Sequence, residues 1–193
     1  AGRVEGEAGG GAGGTGDCQG GGGSRQVRTP RGAAGAQVSH RVEGLSGTLR
    51  EGQGARLRMD EASRRLTQGN HTATHLLQAA LRKILGTHVK QAGSYVGPDK
   101  LRFDFSHFEA LSPETLSSVE EEVNRGIFSP RPVTWESVPY EQAVAAGAMA
   151  FFGEKYADIV RMVTVPEVSR ELCGGTHGRN TAEHGLFRIR SDE

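Results

Sequence analysis

Two short segments carry the strongest chemical signal in the chain. The first is Asn70-His71-Thr72-Ala73-Thr74-His75-Leu76-Leu77, in which His71 and His75 stand four apart. On a helix that spacing puts both imidazoles on one face, one turn apart, where they can share an ion. Alone it is a weak signal, because histidines so spaced on an amphipathic helix are commonly surface or core residues. The second segment is Cys173-Gly174-Gly175-Thr176-His177. Its two glycines permit a tight turn on which thiolate and imidazole can converge. Three nitrogens and one sulfur make a soft-to-borderline donor set that suits Zn(II) far better than Mg(II) or Ca(II). The competing explanation is a tight turn with an incidental buried cysteine and a surface histidine.

Other zinc chemistries fit less well. A metalloprotease helix places a glutamate directly after its first histidine as general base. Here Thr72, Ala73 and Thr74 fill the gap, and none is a carboxylate. A zinc finger gathers its ligands within a short span. These two pairs lie far apart in the chain, so a whole domain must fold to join them.

The elements that must position them can be read from periodicity. A helix is expected over 71–85, with Asn70 as N-cap, Gly86 as its stop, and Ala73, Leu76, Leu77, Ala80, Leu81 and Ile84 as one apolar stripe. A strand pair over 89–96 and 101–105 turns at Gly97-Pro98-Asp99. A second helix starts at Ser112-Pro113, with Leu116, Val119, Val123 and Ile127 on one face. Pro132 to Val138 reads as a strand, 139–146 as a short helix, and 159–165 and 186–190 as strands. Further forward, 37–42, 47–50 and 55–59 read as short strands. The mixture predicts an α+β fold.

Bulk properties narrow the class. The 193 residues carry 23 Lys+Arg against 23 Asp+Glu, so any nucleic-acid contact must use a local patch. Arg64 and Arg65, with Arg56 and Arg58, cluster ahead of the first histidine and form one such candidate, or only a solvated face. Glycine crowds residues 1–36, which show almost no apolar periodicity and are expected to be largely mobile. The two cysteines, Cys18 and Cys173, allow one disulfide. With no secretory signal, a reducing, cytoplasmic setting is the better expectation. No apolar run reaches membrane-spanning length. The charged tail Arg190-Ser191-Asp192-Glu193 and the absence of an initial Met suggest a fragment of something longer.

The Asn70–Leu77 segment resembles the helix signature of the alanyl-tRNA synthetase editing domain and its free-standing relatives, the AlaX proteins. Leu101-Arg102-Phe103-Asp104-Phe105-Ser106-His107, Gly147-Ala148-Met149-Ala150, Gly153-Glu154-Lys155-Tyr156 and Glu171-Leu172-Cys173-Gly174-Gly175-Thr176-His177 are similar to the same family in the same order. The similarity runs from about Gly54 to Arg190. A related domain of threonyl-tRNA synthetase shares the His and Cys–His logic, but the double glycine and threonine favour the alanyl version. Pattern and resemblance together divide the chain into three expected regions: 1–36, a Gly-rich, poorly ordered segment; 37–62, the remnant of a small β module; and 63–193, a zinc-binding editing domain with mixed helices and antiparallel sheet.

The resemblance further implies hydrolysis of the ester joining serine or glycine to tRNA(Ala), with one Zn(II) held by His71, His75, Cys173 and His177. Gln91 matches a family glutamine that lines the editing pocket, the alternative being a solvent-facing strand residue. Arg102 either meets the tRNA end or pairs with Asp104, and Lys155 sits in a family-like loop. The family's Gly-rich motif, Glu-Ser-Gly-Gly-Gln-x-Gly-Asp-Thr-Gly, aligns with Glu7 to Gly16, where its glutamine has become Gly11 and its aspartate Gly14. Thr15 survives and in relatives helps recognise the serine hydroxyl. Two other functions stay open: a free-standing editing factor, and a structural zinc domain that has lost activity. No ATP site or aminoacylation centre is visible.

Overall fold

The computed structural model describes residues 2–7, 15–19, 26–28, 41–43, 56–150 and 156–192, with side chains described over 59–150 and 156–190. Its organising element is helix α1, Glu61–Leu85. It starts ten residues before the expected position, because Asp60 rather than Asn70 is the cap: the Asp60 side chain accepts from the Ser63 amide. The first turns carry few apolar residues, so no stripe marks them in the sequence. Asn70 instead lies buried within the helix and donates to the Gly97 carbonyl at 2.8 Å. At the other end Gly86 adopts φ 114°, a backbone conformation that side-chain-bearing residues rarely reach, and its amide bonds to the Arg82 carbonyl.

Helix α2, Pro113–Phe128, begins as expected, with Ser112 accepting from the Thr115 amide. It buries Val119, Val123 and Ile127 against Leu76, Leu77, Ala80 and Leu81 of α1. Gly126 of α2 faces Leu76 of α1, where a Cβ would stand in ordinary contact at 3.4 Å.

Two antiparallel sheets frame this pair. One has the order β11-β1-β7-β6, built from Arg188–Asp192, Gly2–Glu7, Leu101–Phe105 and Gln91–Val96. Alternate residues Leu101, Phe103 and Phe105 are fully buried in the main core, while Arg102 and Asp104 point the other way. The other is a three-stranded sheet, β10-β9-β8, comprising Ser169–Leu172, Ile159–Val165 and Thr134–Pro139. One of its faces puts Val163 and Val165 into the core shared with α1. The opposite face carries Val138, Val160, Met162 and Leu172, which form a second cluster with Ala143 of α3, Tyr140–Ala145.

A further four-stranded sheet, β4-β3-β2-β5, joins Arg41–Glu43, Gln26–Arg28, Thr15–Gln19 and Arg56–Met59. Three strands thus lie within 1–36, the stretch expected to be largely mobile. Antiparallel ladders are made by backbone groups, so a glycine-rich stretch can supply them without an apolar pattern. Strand β2 pairs with β5 and β3 with β4, β1 joins β7 and β11, and α1 runs through residues 62 and 63. The expected strand at 47–50 lies outside the described residues. Mixed helices and antiparallel sheets make the fold α+β, as expected. Besides those three early strands, β10 and a short 3-10 turn, Thr181–Glu183, are absent from the sequence reading.

Candidate metal centre

Helix α1 presents His71 and His75 toward the segment that follows β10. Cys173 continues the line of that strand, since its amide bonds to the Arg161 carbonyl of β9. The chain then turns so that His177 comes back over the helix. His71, His75, Cys173 and His177 each offer one ligand atom, and these atoms all lie within 4.8 Å of one another. Cys173 Sγ is 3.3 Å from His71 Nε2 and 3.4 Å from His177 Nε2. Zinc ligands at about 2.0–2.3 Å in a tetrahedron stand roughly 3.3–3.8 Å apart. The two sulfur–nitrogen spacings and the donor types fit such an ion, and the four residues can hold a metal. Cys173 carries a thiol rather than a disulfide.

The surroundings orient the rings. Thr72 Oγ donates its one proton to the Gln68 carbonyl at 3.1 Å, so at His177 Nδ1, 3.3 Å away, it acts as acceptor. That assigns the His177 proton to Nδ1 and leaves the Nε2 lone pair for the centre. His75 Nδ1 faces Glu171 Oε2 at 3.3 Å, within electrostatic contact though off the line of a hydrogen bond. Gln68 Nε2 donates to Thr176 Oγ at 3.2 Å and ties the turn to the helix. Arg161 donates from Nη1 to the carbonyls of both Cys173 and Gly175.

Gly175 has a different reason from the one expected. Neither Gly174 nor Gly175 adopts a positive φ. A Cβ on Gly175 would instead stand 1.7 Å from His71 Cε1, so the glycine is there for close approach. Around Gly174 a Cβ would meet nothing within 4 Å.

Burial sets the protonation of the cluster. It pushes His75 well below the ordinary imidazole value, and the charges of His71 and Arg161 add to it. His177 is lowered likewise, first by burial and then by His75, His71, Arg161 and His184. Neutral imidazoles with available lone pairs are what a metal needs. Glu171, 1% exposed, is raised to about 8 by burial, with the charge of Arg82 opposing. Without an ion, His75 and Glu171 therefore face each other as neutral groups rather than as an ion pair. His75 and His177 are buried, while His71 and Cys173 are half-buried, so the cluster opens to solvent on their side.

The remaining expected site residues lie as follows. Gln91 opens β6 and donates from Nε2 to Ser94 Oγ at 3.1 Å. Arg102 pairs with Asp104, 3.1 Å from Nε to Oδ1, so the intrachain partner is realised. Arg64 is half-buried two helical turns before His71, and Arg65 is exposed. The Thr15 backbone lies in β2 opposite Arg28, but its side chain is outside the described residues, as is Lys155. Sequence reading assigned no role to Glu171, Thr72 or Arg161. Only Glu171 carried a signal, as a carboxylate two residues before Cys173. No helix among the described residues is long and apolar enough to cross a membrane.

Residues 160–193 match the family described as the threonyl and alanyl tRNA synthetase second additional domain. An alanine–tRNA ligase of Thermotoga maritima is 55% identical over 156 residues, 81% of this chain and 18% of the relative. One from Thermus thermophilus is 51% identical over 178 residues, 89% of this chain and 20% of the relative. One from Listeria monocytogenes is 53% identical over 156 residues, 81% and 18%. The chain therefore spans about a fifth of the length of these curated relatives. With its two histidines on α1 and its Cys–His turn in one cluster, the chain belongs to the alanyl-tRNA synthetase family as an editing-type domain.

Proposed function

We propose that this chain is a zinc-dependent aminoacyl-tRNA deacylase, hydrolysing the ester that joins serine or glycine to tRNA(Ala). The observation that carries the proposal is the convergence of His71, His75, Cys173 and His177, open to solvent on the His71–Cys173 side. The need for such a step is physical. An alanine pocket discriminates against glycine, lacking a methyl, or serine, adding a hydroxyl, by only about 1–3 kcal/mol, so a second hydrolytic site supplies the remainder.

A bound zinc ion would supply positive charge that polarises the ester carbonyl or acidifies a water. The chain does the rest. Thr72 holds the ring of His177 with Nε2 inward, Glu171 Oε2 stands against Nδ1 of His75, and Arg161 fixes the turn that presents Cys173. His71 and Cys173 form the side from which the ester approaches. Gln91 and Thr15 are proposed to contact the aminoacyl group, with Thr15 reading the serine hydroxyl. Arg64 and Arg65 are proposed to approach RNA phosphates, Arg64 from the same face of α1 as the histidines. Arg102 is proposed to meet the tRNA end only by leaving Asp104. A neutral chain with few such cations binds RNA weakly, and attachment to the rest of a synthetase raises the effective concentration. A cytoplasmic setting accompanies this function.

A second reading rests on the same cluster. Four protein donors fill a tetrahedron, which is the habit of structural zinc sites. Incubating the zinc-loaded chain with Ser-tRNA(Ala) separates the two. Release of serine above the uncatalysed rate supports the deacylase, and an unchanged rate with zinc bound supports the structural domain. Activity of the isolated chain together with a reading frame ending at Glu193 would favour a free-standing factor.

A further inference from the structure

Trp135 is the chain's one tryptophan, and it is 42% exposed on β8, an edge strand. Its register places it opposite Val163 of β9, which in turn stands opposite Glu171 of β10. Directly opposed residues share a face, so Trp135 lies on the same side of the sheet as the Glu171 carboxylate that meets His75. Two strand spacings separate Trp135 from Glu171, roughly 10 Å.

One side chain bridges that gap. Arg161 lies on the same face as Val163, two residues away along β9. Its guanidinium carbon stands 4.9 Å from the Trp135 ring centroid, and its Nη1 donates to the carbonyls of Cys173 and Gly175. The indole is thus fixed to the turn that carries two of the metal ligands, with a cation against its ring. Ser137, two residues along β8, is exposed beside it.

Given the deacylase reading, on which this step rests, the scissile ester sits on the ribose of the terminal adenosine. The base therefore comes to lie one ribose away from the His71–Cys173 opening. We infer that Trp135, backed by Arg161, is the stacking platform for that terminal adenine base. The indole contributes a flat, polarisable surface that a single-stranded end can use. Base recognition at this subsite comes from shape and stacking and is indifferent to the amino acid, which is a job for the groups around the metal.

Because no other tryptophan is present, intrinsic fluorescence reports this one ring. The zinc-loaded chain is titrated with a non-hydrolysable 3′-amide analogue of seryl-adenosine, and in parallel with the same compound lacking its base. Saturable quenching by the first, and binding weaker by about 5- to 150-fold for the second, is expected from one base–aromatic stack. In steady-state deacylation of Ser-tRNA(Ala), Trp135→Ala is expected to raise KM by a similar factor, with most of the loss recovered in Trp135→Phe. Zinc content and circular dichroism of both variants check that the site and fold persist. Emission unaltered by the analogue while the chain hydrolyses Ser-tRNA(Ala), or an unaltered KM in Trp135→Ala, overturns the platform. Saturable quenching in a zinc-loaded chain that hydrolyses nothing retains the platform and removes the deacylase reading instead.

Discussion

His75 Nδ1 and Glu171 Oε2 lie 3.3 Å apart, and both residues are almost wholly excluded from solvent. An acidic side chain this deep carries a large desolvation cost unless it answers a charge. A divalent ion on the far nitrogen of His75 would provide that charge, with the imidazole relaying it. Glu171 is therefore expected to matter more to the metal-loaded protein than to the empty one. Glu171→Gln should weaken zinc binding by about 10- to 100-fold, the usual effect of losing a carboxylate behind a ligating histidine. Competition against a chromophoric chelator measures it, and an unchanged affinity would remove the carboxylate from the site's support.

The same pair sets a pH dependence in the metal-free chain. Glu171 has a folded value of about 8 against an ordinary 4.5, so between those limits the native form keeps a proton that the unfolded form has lost. Stability therefore falls as pH rises through that window, and the Gln variant lacks the fall. His75 and His177 act in the opposite sense: held below 6.5 when folded, they make stability fall as pH drops under that value. Chemical denaturation of wild type and Glu171→Gln with zinc removed should show the variant's relative stability growing from pH 4.5 toward 8 and then levelling. A constant offset across that range would contradict the assignment.

Gly175→Ala tests close approach rather than backbone freedom. With no positive φ at 175, the added methyl is not strained by the backbone but would strike the His71 ring. Zinc stoichiometry should drop sharply in this variant. Gly174→Ala, whose Cβ would meet nothing, should keep it. Equal retention by both variants would mean that His71 is not held against the turn.

Asp60→Ala removes the cap that starts α1 earlier than its apolar stripe suggests. A loss of about 1 kcal/mol is expected, with a fall in Tm of roughly 2–4 °C for a chain of this size. Asn70→Ala should cost more, because it strands the buried Gly97 carbonyl as well as a helix position. Thermal unfolding of the two variants ranks them, and an unchanged Tm in Asp60→Ala would contradict Asp60 as the start of the helix.

Much of this architecture could be read from residue patterns, and the reasons for the rest are physical. Helix α2 was legible because Ser112, Pro113 and its apolar face all point the same way. The alternation of Leu101, Phe103 and Phe105 likewise marked β7. The start of α1 was hidden, because Ser63, Thr67 and Gln68 satisfy caps, back-bonds and the metal turn instead of forming a stripe. Strand β10 was hidden by its brevity and by Glu171, a charged residue in a buried strand. The four candidate ligands were visible as two motifs, but only folding joins α1 to the end of β10. Thr72, Glu171 and Arg161 gave little warning because their roles depend on register across elements distant in sequence.

The most direct measurement is zinc X-ray absorption on the purified, metal-replete chain, combined with its metal content. One zinc per chain, surrounded by three nitrogens and one sulfur at about 2.0–2.3 Å, is the expected result. A chain that takes up no zinc, or zinc in a shell without sulfur, would contradict the shared site of His71, His75, Cys173 and His177.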